Sequence, residues 1–270
     1  MTNRARQPVI VSYSEDGLAI DCLFTFNRRA LRPIGETDPS AKSACDVIKQ
    51  GIADNWSGRF IMTEALRASL LQYCDQSGLA VSDADTSHLQ VSIRIEQIQS
   101  KHLTPGLLAL TRGLSGKRRP VRIYVKPSFI LPAHVASPLV RRFWGFFRTG
   151  QFESIGLNWS PMHPGYMAIP KDTSLRRLPQ VAAHEAGHLF GLGDAYGAWY
   201  RFFSAAPETE GYMMRNNTRV HPHELAMLIT AHATKRMQYF PRIFNLRAIL
   251  QGLGSACMSP LARLLKTRRK

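Results

Sequence analysis

The chain has 270 residues, 44% of them apolar, and a formal net charge of +16. That length buries a substantial core without covalent staples, and the apolar share excludes a disordered chain. No apolar run approaches the roughly 20 residues that a spanning helix needs.

Taken in chain order, the opening stretch carries Arg4 and Arg6 before a short apolar run, with Glu15 and Asp16 close behind. This does not read as a secretory leader. The expected location is cytoplasmic, or outside the cell by injection or another non-classical route. Leu18 to Phe26 reads as a strand. In "SACDVIKQGIADNWSGRF", Ala44, Val47, Ile48, Ile52 and Trp56 keep helical spacing, and Gly58 is placed to stop the helix. "TEALRASLLQYCDQSG" predicts a second helix with Thr63 as its cap. "LQVSIRIEQI" and "VRIYVK" alternate with period two and predict strands. Between them lies a long basic excursion. "GLNWS" and "GYMAIP" are short candidate strands. Pro179 suits the first turn of a helix reaching about Leu189, and Gly191 suits its left-handed exit. "HPHELAMLITAHATKRMQ" predicts another helix, and an amphipathic piece spans Asn245 to Leu265. Strands with helices first and helices afterwards make an α+β fold. We expect one catalytic domain over residues 1–240, with an N-terminal subdomain to about 192 and a mostly helical one after it. A basic amphipathic tail follows over 241–270.

The charge is unevenly spread. From Gln97 to Phe152 there is no acid, yet Lys101, Arg112, Lys117, Arg118, Arg119, Arg122, Lys126, Arg141, Arg142 and Arg148 fall there. The segment from Phe240 to Lys270 also lacks acids and ends in "KTRRK". Such a balance points to an anionic partner, whether nucleic acid, an acidic membrane or an acidic protein, against the plain alternative of a solvated basic face. The tail helix has the same two readings, a membrane-surface anchor or a solvated element. Cys22, Cys45, Cys74 and Cys257 show neither CxxC pairing nor metal spacing. They are expected as separate buried thiols, with a Cys45–Cys74 disulfide as the sharper alternative.

The stretch "VAAHEAGHLFGLGDAY", Val181 to Tyr196, sets two histidines, a glutamate and an aspartate inside an apolar frame. Four residues apart on a helix, His184 and His188 share a face and offer two imidazoles to one metal. Glu185 lies beside the first and suits a general base acting on a metal-activated water. An unpartnered glutamate is costly in such a frame, and a metal gives it a task. Catalytic zinc takes three protein ligands and keeps one open position. Asp194, reached through the turn at Gly191, is the third donor we favour. Glu208 and Glu210 are rivals, His221 and His223 weaker ones, and a plain turn aspartate is the bland reading of Asp194.

Read as His184, Glu185, His188, Gly191 and Asp194, the pattern HExxHxxGxxD resembles the metzincin metallopeptidases, in particular the snapalysin-like members with Asp as third ligand. The resemblance spans about Leu18 to Arg236, but its specific motifs cover only about thirty-five residues. It implies a metzincin-like zincin: a twisted mixed sheet, an active-site helix and one catalytic Zn²⁺. It also implies a Met-turn beneath the metal, at Met214 or Met213 in "EGYMMRNN". The helix ending in "NWSG" resembles the opening helix of that clan. An edge strand before the metal helix, "GLNWS" or "GYMAIP", would pair with an extended peptide. Tyr196 or Tyr212 would serve as an oxyanion donor. No tyrosine follows two residues after the Met, unlike some subfamilies, and no pro-segment with a switch cysteine is read.

The expected activity is hydrolysis of protein or peptide substrates by a monomeric zinc endopeptidase, with Glu185 moving the proton. A basic, compact peptidase without a leader resembles toxin or effector peptidases delivered by bacterial injection machines. The alternatives are a DNA-associated protease, or a nucleic-acid-binding protein with a structural zinc. Nucleobase deamination is disfavoured because its HxE and PCxxC pair is missing.

Overall fold

A computed structural model describes residues 7–32, 42–79, 87–99, 119–127, 132–149, 156–196, 203–241 and 243–244. Most of the basic excursion, including Lys101, Arg112, Lys117 and Arg118, lies outside the described residues, as do Cys257 and the expected helix from Asn245 onward.

The chain opens with a hairpin. Strand β1 (Val9–Ser14) pairs antiparallel with β2 (Gly17–Phe26), Val9 opposite Cys22. Cys22 to Phe26 are all buried, the signature of a strand with neighbours on both edges and cover on both faces. Helix α1 (Ala44–Trp56) follows. Ser43 and Asp46 close a reciprocal capping box at its start, satisfying two N–H groups that the helix itself leaves open. Strand β3 (Gly58–Ile61) leads to helix α2 (Glu64–Ser77), where Thr63 accepts the Leu66 N–H as its cap. Strands β4 (His88–Gln97), β5 (Val121–Lys126) and β6 (His134–Ala136) come next, then helix α3 (Leu139–Thr149) and strand β7 (Tyr166–Pro170). Helix α4 (Leu178–Leu189) starts with Pro179 in its first turn, as its missing N–H permits. Beyond it are β8 (Phe203–Ser204), the one-turn α5 (Met213–Asn216), α6 (Pro222–Thr234) and β9 (Ile243–Phe244).

Seven strands form one mixed sheet in the order β3-β4-β2-β5-β7-β6, with β1 added to β2. The inner strands β4, β2, β5 and β7 run parallel, while β3, β1 and β6 are antiparallel to their neighbours. β2 shares one edge in sequence: β1 takes Gly17 to Cys22, and β5 takes Phe24 to Phe26. β8 and β9 make a separate two-stranded ribbon, so the first residues of the expected tail fold back onto the chain. The architecture is mixed α/β.

Two expectations need correction. "GLNWS" is not a strand. Leu157, Asn158 and Trp159 are buried, but the only pairing there is an isolated bridge between Ser160 and His163. "GYMAIP" does form a strand, but an inner one. Met167, Ala168 and Ile169 are buried in succession because β5 and β6 flank it. The edge position belongs to β6.

One apolar cluster runs from Val9 to Phe240 and joins sheet and helices. Trp56, at the end of α1, is fully buried in it. Its indole N–H donates to the Ala183 carbonyl of α4 at 2.9 Å, and its ring meets Phe190 edge-on at 5.1 Å. Cys22, Cys45 and Cys74 are buried and in no disulfide, so the Cys45–Cys74 bridge is not formed. Burial pushes the Cys45 thiol up to about 11 despite nearby Lys49, which keeps it protonated and inert.

Trp56 therefore clamps α1 against the helix carrying the histidines. Trp56→Ala should lower unfolding free energy by about 3–5 kcal/mol, and Trp56→Phe by roughly 0.5–1.5 kcal/mol through the lost indole hydrogen bond to the Ala183 carbonyl. Urea denaturation monitored by circular dichroism measures both. A loss below about 1 kcal/mol for the alanine variant would show that the clamp is not structural.

Candidate metal centre

Helix α4 puts Ala182, Ala183, His184, Glu185, Ala186, Gly187 and Leu189 out of solvent. Its polar groups are aimed rather than exposed. The Nε2 atoms of His184 and His188 each lie 3.2 Å from Asp194 Oδ1. One donor atom from each of the three residues lies within 4.8 Å of the others, and this is the one such group among the described residues. The far side of each imidazole is anchored to backbone. His184 Nδ1 meets the Met213 carbonyl at 2.8 Å, and His188 Nδ1 meets the Leu192 carbonyl at 2.8 Å. A carbonyl only accepts, so both Nδ1 atoms carry the proton and both Nε2 atoms face Asp194. Metal-ligating histidines are fixed in this way.

The turn after α4 delivers Asp194. Gly191 takes φ of +97°, a conformation that favours glycine, and a Cβ there would press on Trp159 and Ala231. Leu192 bridges to Gln238. The Gly193 N–H donates to the Gln238 carbonyl, and the Gln238 N–H to the Gly191 carbonyl, each at 2.8 Å. The Ala195 N–H then donates to the Met214 carbonyl at 2.9 Å. Asp194 is thus held between two backbone tethers.

Met214 packs directly against Gly187 of α4. A Cβ at Gly187 would overlap the Met214 sulfur. Both Met213 and Met214 are fully buried, but they play different parts: Met213 supplies the carbonyl for His184, and Met214 packs its sulfur against Gly187. Their turn is pinned by Glu224, a residue the motif reading passed over. Its buried carboxylate accepts the Met214 N–H at 2.8 Å, the Met213 N–H at 3.3 Å and the His221 N–H at 2.7 Å. Burial pushes its carboxyl up to about 7, against the pull of those three donors. The available signal was its place three residues after His221, with Pro222 between, which is capping-box spacing.

The rival third ligands are elsewhere. Glu208 and Glu210 are exposed, and Glu210 pairs with Arg215 at 2.8 Å. His221 caps α6 and stacks on Tyr212 at 4.4 Å, and His223 meets the edge of the same ring. Tyr212 is buried in that stack, so the expected oxyanion role is not supported for it. Tyr196 lies parallel to the His184 ring at 6.2 Å and faces the cleft.

Two depressions meet over the site. One is lined by His134, Val135, Leu157, His188, Asp194 and Tyr239, and the other by Pro170, Asp172, Arg177, His184, Arg215 and Asn216. Ala133, Glu185 and Tyr196 line both. Glu185 is 5% exposed, and its Oε2 has no hydrogen-bond partner. Burial raises its proton affinity. His188 and His184 oppose that rise, as does the Val135 N–H of β6. Burial alone would lower His188, but Asp194 and Glu185 outweigh it and lift it to about 9. Burial alone would raise Asp194, but the two histidines hold it far below the usual carboxylate range. The trio favours a positive charge at its centre, which suits a divalent cation. Two imidazoles and one carboxylate form a donor set that fits zinc.

No family model matches the chain, and no curated protein matches its sequence.

Because Met214 fills the space a Cβ would need at Gly187, Gly187→Ala should destabilise the protein by about 1–3 kcal/mol. Met214→Ala should relieve part of that clash, so the double variant should fall short of the sum of the two single losses. Chemical denaturation of the four proteins checks this, and strict additivity would contradict the packing.

Proposed function

We propose that the protein is a zinc-dependent endopeptidase with His184, His188 and Asp194 as metal ligands and Glu185 as general base. The observation that carries this reading is the convergence of the three donor atoms beside a buried carboxylate whose Oε2 is unpartnered, at the meeting point of two depressions. A structural zinc site is a closed set of four protein ligands. Here the described residues offer three, and the fourth side opens to the cleft.

When bound, Zn²⁺ would supply Lewis acidity to an attacking water and to the scissile carbonyl. The chain supplies the rest. Glu185 Oε2 takes a proton from the water as its oxygen bonds to the carbonyl carbon. It then delivers that proton to the amide nitrogen as the C–N bond breaks. The Val135 N–H near Glu185 favours the ionised carboxylate that a base must present. Tyr196, stacked on His184 and lining the cleft, would donate to the developing oxyanion.

The substrate is a polypeptide in this reading. β6 is a sheet edge, and Ala133, His134 and Val135 border the cleft, so an extended peptide can add to it as a further strand. Depressions on either side of Glu185 leave room for residues on both sides of the cleaved bond, which favours endo- over exopeptidase action. The same features support a metzincin-like relationship: a mixed sheet with an antiparallel edge strand by the cleft, α1 clamped on α4 by Trp56, and Met214 packed on α4 at Gly187.

Glu185→Gln should retain one zinc per chain while its casein-cleavage rate falls by about 10²–10⁴-fold. Asp194→Ala should weaken zinc binding by at least about tenfold, as judged by competition with a chelating dye. Full activity in Glu185→Gln would overturn the proposed base. Unchanged zinc affinity in Asp194→Ala would move the third ligand elsewhere.

A further inference from the structure

Helix α3 is docked inside out. At 3.6 residues per turn, Leu139, Val140, Phe143, Trp144 and Phe147 fall within one arc of about 140°. They are exposed at 66%, 49%, 57%, 67% and 78%. The polar side faces the protein. Arg141 donates to the Asn158 carbonyl at 3.0 Å and to the Ser160 hydroxyl at 3.1 Å. Arg142 donates to the Ser137 carbonyl at 2.6 Å and to the Tyr166 hydroxyl at 3.3 Å. The Asn158 side-chain amide returns a bond to the Arg141 carbonyl at 3.2 Å, and Gly145 lets the helix close onto that side chain. A surface helix ordinarily does the reverse, burying its apolar stripe and solvating its charges. Turning five large apolar side chains outward in one patch is the mark of an interaction surface.

The charge around the patch says what covers it. The sequence has no acid between Gln97 and Phe152. Lys126 lies close enough to Arg142 to feel its charge, His134 feels Lys126 and Arg142, His163 feels Arg141 and Arg119, and Arg141 feels Arg148. A second copy of the chain would bring this positive rim against itself, with +16 on each partner. The patch is a convex helix face with no polar side chain inside its arc, so it offers shape and apolar area rather than the directed hydrogen bonds of a specific protein site. Aromatic and aliphatic side chains bordered by the exposed Arg148, in a region of positive charge, suit the boundary between anionic headgroups and acyl chains.

We propose that α3 seats the protein on an anionic lipid surface, with Leu139, Val140, Phe143, Trp144 and Phe147 entering the headgroup region and the exposed Arg148, which borders their arc, facing lipid phosphates. Because β6 runs almost directly into α3, this seating also ties the cleft's edge strand to the bilayer. The lipid contact is independent of the chemistry proposed above.

The test is co-sedimentation of the full chain with vesicles of phosphatidylcholine, with and without phosphatidylserine. Wild type should bind the anionic vesicles, and added salt should weaken that binding. F143S/W144S/F147S should lose affinity by at least about tenfold. These positions are exposed, so the variant should keep the wild-type melting temperature. Bromolipid quenching of tryptophan fluorescence gives a second reading without the triple variant. Quenching should be strong in wild type and largely lost in Trp144→Phe, while binding persists. Four results would overturn the proposal: no binding by wild type, equal binding to phosphatidylcholine alone, binding that survives the triple variant, or self-association that the triple variant abolishes.

Discussion

The structure is organised around the burial of ionisable groups in an apolar helix. His184 and Glu185 are nearly inaccessible on α4, and His188 and Asp194 are only slightly less so. Burying such groups is costly unless partners fix and satisfy them. Each imidazole spends Nδ1 on a carbonyl from a different turn, and each Nε2 converges on one carboxylate oxygen. The Glu185 carboxyl has the Val135 N–H beside it and an oxygen left over. That surplus acceptor, within an otherwise satisfied set, is the feature that most needs a chemical explanation.

Holding this arrangement takes elements far apart in sequence. Trp56 ties α1 to the backbone of α4, and the Trp159 indole N–H does the same from the loop before β7, donating to the Leu189 carbonyl at 2.9 Å. Beneath, Glu224 gathers three backbone N–H groups and freezes the turn that offers the Met213 carbonyl and the Met214 side chain. A buried carboxylate is thus used structurally only one layer from where another is proposed to act chemically. Their surroundings separate the two: every described contact of Glu224 is a backbone donor within the protein, whereas Glu185 faces the cleft.

The parts legible in the sequence are those specified locally. The cap at Thr63, the proline in the first turn of α4 and the glycine after it marked helix ends to within a residue or two. The spacing of His184, His188 and Asp194 was readable because helix geometry and one left-handed turn bring them together. What escaped depends on the rest of the fold. β6 has three residues and exists as a strand only because β7 pairs with it. "GLNWS" has the composition of a strand, but its Asn158 and Trp159 are committed to α3 and α4 instead. Glu224 reads as a helix cap in sequence, and its hold on the Met213–Met214 turn appears only when the chain folds back. The apolar and basic residues of α3 were visible as composition, but which set faces inward is decided by Ser137, Asn158 and Ser160.

The central claim is that two imidazoles and one carboxylate hold a catalytic zinc. X-ray absorption at the zinc edge of the reconstituted protein tests it most directly. The account predicts one zinc per chain, with two imidazole nitrogens and an oxygen shell at about 2.0–2.2 Å and no sulfur. A sulfur shell near 2.3 Å, a third or fourth imidazole, or failure to bind zinc at all would contradict it.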